Sequence, residues 1–452
     1  MISRRMLRLA TTLGLAAAVA ACAHGHSILP HISGFGGGKA KPKYTGSGER
    51  ISLLAPGDVL TVSDALKGQD FALPDPQPIA AWPLPGGTPE NSVEHVAAGR
   101  DFQIAWRRKF GRGETRAFHV TASPVAADGR IYVMDGEATV EAIDAASGRD
   151  IWRTDLAIRG RRDREAYGGG LAYADGRLYV TSGYRFVAAV DGASGKLIWR
   201  TRTDAPVHAA PTIVDGRVIA ESTDDNLMSF DAQTGAAGWT HQALTENARI
   251  LAATSPAVSG DTVVATFASG EVAALQAGTG NELWTVELSR TNRNSALSEI
   301  RDIPGRPVIY RGDVYAVSHS GLMSVIDLRT GNTRWQLPVT GISTPWPAGD
   351  VVFVTDISGR VVCAARDSGQ IYWITDLNYG KRQKFRAIWS GPVLAAGHLV
   401  LVSDKGEAVE LNPKTGGIER QMKLGADALL NPIAAGPYLY VATDAADLIA
   451  IR

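Results

Sequence analysis

The side chains able to do chemistry are few, and their spacing gives them little to work with. The chain holds 2 Cys, Cys22 and Cys363, and 9 His, at positions 24, 26, 31, 95, 119, 208, 241, 319 and 398. A metal centre needs lone pairs that converge, and no His here has a partner at helical or hairpin spacing. His24 and His26 read as solvated side chains, and no metal is expected. Gly38-Lys39 carries half of a phosphate-loop signature, but Ser33 stands where the first Gly is required and Ala40 replaces the magnesium-binding hydroxyl. Cys363, inside Val361-Val362-Cys363-Ala364-Ala365, reads as a small buried residue. No nucleophile, base and orienting group come together along the sequence, so no catalytic site is expected.

Cys22 has a more specific setting. Arg4, Arg5 and Arg8 lead into an apolar run from Leu9 to Ala21, too short for a permanent membrane span. The run ends in Val19-Ala20-Ala21-Cys22, which resembles the bacterial lipobox, where small residues fit the signal peptidase and the thiol accepts the lipid. Residues 1–21 are therefore expected to be a lipoprotein signal peptide and Cys22 the lipidation site, holding the protein to a membrane by acyl chains alone. Ala23 stands where inner-membrane retention signals place Asp, which by that resemblance points to the periplasmic face of the outer membrane. Ser3-Arg4-Arg5 leaves the export route, general or twin-arginine, open.

The rest of the chain must supply whatever function the protein has. With 46 Lys plus Arg against 46 Asp plus Glu and no long basic run, nucleic acid is not an expected partner. A hydrophobic fraction of 45% with 20% charged residues fits a soluble body with a large core. Residues 22–50, rich in Gly, His, Lys and Pro, read as a flexible tether. Residues 51–101, with Pro74, Pro76, Pro78, Pro83, Pro85 and Pro89, read as irregular chain packed on the body.

From Phe102 to Arg452 one pattern recurs: a Gly with a Trp four residues later, at Gly148, Gly195, Gly235, Gly280, Gly331 and Gly369, spaced 38 to 51 residues apart. Each copy has an upstream hairpin, as in Ser123-Pro124-Val125 followed by Asp128-Gly129-Arg130-Ile131-Tyr132-Val133, then a third strand running into Ser-Gly or Thr-Gly. A seventh copy keeps Thr415-Gly416 but has Arg420 in place of Trp. An eighth starts at Pro432 and ends before its last strand. Phe102-Gln103-Ile104-Ala105-Trp106 supplies that strand, predicting an all-β, eight-bladed propeller of four-stranded antiparallel blades, residues 102–452, closed by an N-terminal strand.

The repeat resembles the quinoprotein type of propeller, yet Cys363 has no neighbouring thiol and no calcium set is visible, so no cofactor is expected. With lipobox, tether and blades together, the mature chain resembles the BamB family of the outer-membrane β-barrel assembly machinery, most closely over residues 299–335, from Glu299-Ile300-Arg301-Asp302-Ile303 through Asp327-Leu328-Arg329-Thr330-Gly331 to Trp335. The resemblance implies a scaffold that catalyses nothing, binds the periplasmic (POTRA) domains of BamA and assists folding and insertion of outer-membrane proteins, with unfolded clients as further partners. Two family contact loops fall on residues 249–256 and 301–304. By that resemblance Leu251 and Asp302 are the contact residues; the family places Arg after the leucine and a second Asp two places after the first, where this chain has Ala252 and Pro304, and Arg249 or Arg301 is expected to replace the lost guanidinium. A periplasmic quinone-dependent dehydrogenase and a module for another envelope ligand are the alternative readings.

Overall fold

Each blade begins with a turn that its residues dictate. Asp128 and Gly129 both take positive φ, 51° and 70°, the requirement of a two-residue hairpin loop whose twist matches its strands. A computed structural model of the chain describes residues 59–113, 115, 120–158, 168–245, 254–288 and 302–452. Cys22, Arg249, Leu251 and Arg301 lie outside these described residues. The described chain forms eight four-stranded antiparallel sheets, each in sequential order except the last. The blades span residues 125–155, 169–202, 212–242, 257–287, 308–337, 346–376 and 389–423, and the eighth joins 433–451 to the strand Ile104–Lys109. We letter the strands of a blade A to D from the axis outward. The A strands are short and buried, as in Val125–Ala127, whereas the D strands alternate exposed and half-buried residues, as in Asp150–Asp155.

The ring closes as the sequence predicts, with a shift. Ile104–Lys109, rather than the stretch beginning at Phe102, is the eighth D strand, and it pairs antiparallel with Asp447–Ile451. Phe102 precedes it with φ 50° and is buried.

The seams between blades are built from the recurring Gly and Trp, but from different repeats. The Trp of one blade packs on the Gly of the next: a Cβ on Gly235 would lie 2.5 Å from the Trp199 ring, and one on Gly280 would lie 2.6 Å from Trp239. The indole then donates to a carbonyl of the same turn, Trp199 Nε1 to Ala232 O at 3.1 Å and Trp239 Nε1 to Ala277 O at 2.8 Å. A β-bulge in each C–D pairing, such as that between Ala142 and Ile143, re-aims the D strand just before its Trp. Gly148 receives Trp106 of the closing strand in the same way, so seven seams share this contact.

Candidate functional site

The two ends of the ring differ, and the difference begins with unpaired backbone. The A strands face the axis with a free edge, whose N–H groups must find acceptors if they are buried. Residues 79–99 meet seven of the eight blades in order around the ring, and in blades 1, 2, 4 and 5 they accept from A-strand amides. The carbonyl of Ile79 accepts from Gly436 of blade 8, Trp82 exchanges two bonds with Ala126 of blade 1, and Pro83 accepts from Tyr173 of blade 2. Pro89 and Glu90 accept from Val258 of blade 4 and Ile309 of blade 5, Glu94 from the Trp346 indole of blade 6, and Val96 from Ala396 of blade 7. Gly99 then donates to Pro437, back at blade 8. This strap makes one full circuit before the chain enters the closing strand. Its prolines lack N–H groups but keep their carbonyls, which suits a segment whose work is to accept.

The strap is fixed by buried groups. Trp82 is 2% exposed and its Nε1 donates to Pro85 O at 3.2 Å. Asn91 is buried with φ 55°, and its Nδ2 spans Ser255 O at 3.2 Å and Pro307 O at 3.1 Å, which belong to blades 4 and 5. His95 Nδ1 lies 2.7 Å from Pro74 O, while its Nε2 accepts from Gly397 N at 2.8 Å. That pattern requires a neutral ring protonated on Nδ1. Burial agrees, holding the pKa below the ordinary His value.

The strap enters and leaves at the end carrying the A–B and C–D turns, through its bonds to Gly436, Ala396 and Pro437, and dips along the axis at Asn91 to Ser255 and Pro307, just before the A strands of blades 4 and 5. The opposite end carries the B–C turns and the described parts of the connections between blades, among them Asp302, one of the residues expected to touch a partner. Arg249 and Leu251 lie in the connection from blade 3 to blade 4, and Arg301 in that from blade 4 to blade 5, all outside the described residues. Asp302 is described. Its side chain is only 5% exposed, and its carbonyl accepts from His319 N at 2.9 Å, tying the connection to the B–C turn of blade 5. His319 is half-buried in effect, desolvation holds it below the ordinary pKa, and its Nδ1 has no hydrogen-bond partner among the described residues. Four residues after Asp302, burial pushes the Arg306 guanidinium down to about 10.

Two features of this end were not singled out in the sequence. One is Arg306, whose buried Nε has no hydrogen-bond partner among the described residues. The other is the connection from blade 6 to blade 7, where Lys381-Arg382-Gln383-Lys384-Phe385-Arg386 crowds four cations into six residues. The run is short and the whole chain is neutral, so it does not register in the overall charge.

The repeat alone would also fit a quinone-dependent enzyme, so the donor set decides. Cys363 is fully buried in strand Arg360–Ala365, opposite Phe353 and Trp373, and burial pushes its thiol pKa well up. Among the described residues no three His, Cys, Asp or Glu side chains gather as a metal set would. Among the described residues neither a calcium donor set nor a pair of neighbouring thiols is found.

Fold and seams together define a quinoprotein-type eight-bladed β-propeller with one end sealed by its own chain and the other left to loops. Known proteins narrow this. A family model described as outer membrane protein assembly factor BamB matches residues 90–163 and 136–375, and the chain belongs to that family. Curated relatives carry the same description: the one from Burkholderia pseudomallei is 28% identical over 349 residues, 76% of this chain and 86% of that protein. The one from Escherichia coli K12 is 25% identical over 394 residues, 86% of this chain and 96% of that one. Among solved structures, BamB from Moraxella catarrhalis superposes with a TM-score of 0.66 at 18% identity, over 77% of this chain and 98% of that one. The quinohemoprotein alcohol dehydrogenase ADHIIG of Pseudomonas putida HK5 superposes with 0.63 at 14% identity, over 82% and 80%, a likeness of fold alone.

Proposed function

We propose that the protein acts in outer-membrane protein assembly as a non-enzymatic scaffold, anchored by lipid on Cys22 to the periplasmic face of the outer membrane. In this reading the end opposite the strap holds the periplasmic POTRA domains of BamA and steadies unfolded barrel clients as they fold and insert. The observation that carries it is the polarity of the ring. The strap crosses the A–B end with the chain's own backbone, which leaves the end with the B–C turns and the connection at Asp302 as the face with loops to offer; in sequence, Arg249 and Leu251 fall between blades 3 and 4 and Arg301 between blades 4 and 5. Membership of the BamB family supports reading BamA as the partner, and the lone Cys363 favours the scaffold over the quinone enzyme.

Asp302 is buried, so a bulky replacement there would test packing as much as binding. The experiment is therefore Leu251→Asp with Arg249→Glu and Arg301→Glu, and separately Asp302→Asn, each in the full chain. We expect unchanged thermal unfolding and loss of BamA from the material co-purified out of solubilised membranes. Undiminished co-purification from a folded variant would remove these loops from the interface. Dye reduction by the purified protein on addition of quinone with calcium would favour the enzyme instead.

A further inference from the structure

The connection between blades 6 and 7 is a built excursion. Asn378 is 3% exposed and closes its base: Nδ2 donates to Ala387 O and to Ser358 O, each at 2.8 Å, and Oδ1 accepts from Ala387 N at 2.9 Å. Ile388 N is held by Asp404 Oδ1 at 2.8 Å. Between these clamps the chain turns through the short 3-10 helix Gln383–Phe385 and displays its side chains outward. Tyr379 is 87% exposed and Phe385 57%. A loop pinned this firmly could have folded its rings inward, yet it holds them in solvent.

Along the loop itself the charge is of one sign, with Asp404 and Glu407 of blade 7 at its base. Lys381, Arg382, Lys384 and Arg386 surround the tip, and no acidic residue occurs between Asp376 and Asp404. Lys381 leans toward Glu407 at 3.7 Å, whereas Arg382, Lys384 and Arg386 form no ion pair among the described residues. Exposed aromatic rings beside cations that lack ion-pair partners, with Lys384 resting over the Phe385 ring at 4.8 Å, are the composition of an interfacial contact. Rings enter the boundary between headgroups and acyl chains while cations meet lipid phosphates. An acidic protein surface would answer the cations, but it would also need a pocket for each ring.

We propose that this loop, residues 379–388, docks on an anionic phospholipid surface, orienting the propeller against the bilayer independently of any acyl anchor. The proposal rests on the outer-membrane placement given above. The loop lies two or more blades away from the connections carrying Leu251 and Asp302, so the two contacts are separable.

Gln383, exposed within the tip, gives a reporter position. The full mature chain with Cys22→Ser and Gln383→Cys, which carries neither acyl chains nor a thiol at position 22, is labelled with a nitrobenzoxadiazole dye. The buried Cys363 thiol does not compete, and the chain with Cys22→Ser alone, labelled alongside, gives the background. Vesicles of phosphatidylcholine mixed with phosphatidylglycerol are expected to blue-shift and brighten the dye, and phosphatidylcholine alone to leave it unchanged. Arg382→Gln and Lys384→Gln should each raise the half-saturating concentration of anionic vesicles about fivefold, and high salt should reverse the shift. Tyr379→Ser with Phe385→Ser should weaken the response with the thermal transition intact. Equal spectra with both vesicles overturn the proposal, and so does a shift that appears only when BamA is added, which would mark a protein-docking loop. Because co-purification of BamA is read separately, failure here leaves the scaffold reading standing.

Discussion

The guanidinium carbon of Arg420 lies 5.4 Å from the centre of the Phe102 ring, across the one seam that lacks a Gly and Trp pair. Elsewhere the Trp of a D strand needs the C–D turn of the next blade to receive it. Blade 8 has no such turn, because its C strand ends at Ile451 and its D strand arrives from the other end of the chain. Arg420 replaces the indole with a longer reach: it donates to Arg100 O at 3.2 Å and to Glu410 Oε1 at 3.0 Å, and Glu410 is 1% exposed. The arginine thus ties blade 7 to the residues leading into the closing strand.

Removing Arg420 should therefore cost more than a surface arginine would. Arg420→Ala leaves the Glu410 carboxylate buried without its cation, and we expect about 3 kcal/mol of lost stability in denaturant unfolding. Glu410→Leu together with Arg420→Leu should recover most of that loss. A double variant as unstable as the single one would mean that packing on Phe102, and not the charge, holds the seam.

Glycines of equal backbone conformation should separate by position. Gly216 and Gly235 have φ of 70° and 74°, but a Cβ on Gly216 meets nothing within 4 Å whereas one on Gly235 strikes the Trp199 ring. Gly216→Ala should cost ~1 kcal/mol for the left-handed conformation alone. Gly235→Ala should add ~1 to 3 kcal/mol of overpacking and weaken the Trp199 indole bond. Equal losses in parallel melts would show that the turn, not the seam, sets the glycine.

Why some of this was legible in sequence and some was not follows from distance along the chain. Hairpins such as Asp128-Gly129 and the Thr-Gly turns are decided by neighbours, so blade number and strand order could be read from Gly148 to Gly416. The seam partners could be counted but not assigned, since Trp199 answers to a Gly in the next repeat. The strap left no periodic trace, because its carbonyls are used at irregular intervals by residues as far off in sequence as Gly436, which bonds Ile79. Its prolines marked it as irregular chain without showing its circuit. Asp302 could be placed in a loop, but its burial comes from the neighbouring turn at His319.

Acid should loosen the strap through His95. Its folded pKa lies below the unfolded value, so the unfolded chain binds the extra proton first. The stability it contributes is complete above about pH 6.5 and is lost as pH falls from there through the folded pKa. Protonating Nε2 also forfeits the bond from Gly397 N. His319, shifted in the same direction, adds to the slope. We expect the melting temperature to fall from pH 7.5 to 5.5, and the fall to be smaller in His95→Gln, whose amide can neither titrate nor be lost to acid. An identical pH slope in His95→Gln would assign the effect to other groups.

Asn91 offers the sharpest test of the strap as a fastener between blades. Its one amide nitrogen serves carbonyls of two blades, Ser255 and Pro307, and a Cβ on Gly86 would fall 2.3 Å from its Oδ1, so the strap is folded tightly around it. Asn91→Ala removes both bonds, leaves buried carbonyls unanswered and puts a worse residue at φ 55°, a combined loss of ~2 to 4 kcal/mol. Asn91→Gly keeps the backbone conformation and should lose less. Hydrogen exchange should then rise first at Val258 and Ile309, whose amides the strap holds through Pro89 and Glu90. Protection unchanged at those two amides, with the overall transition lowered, would place the role of Asn91 within the strap and not between the blades.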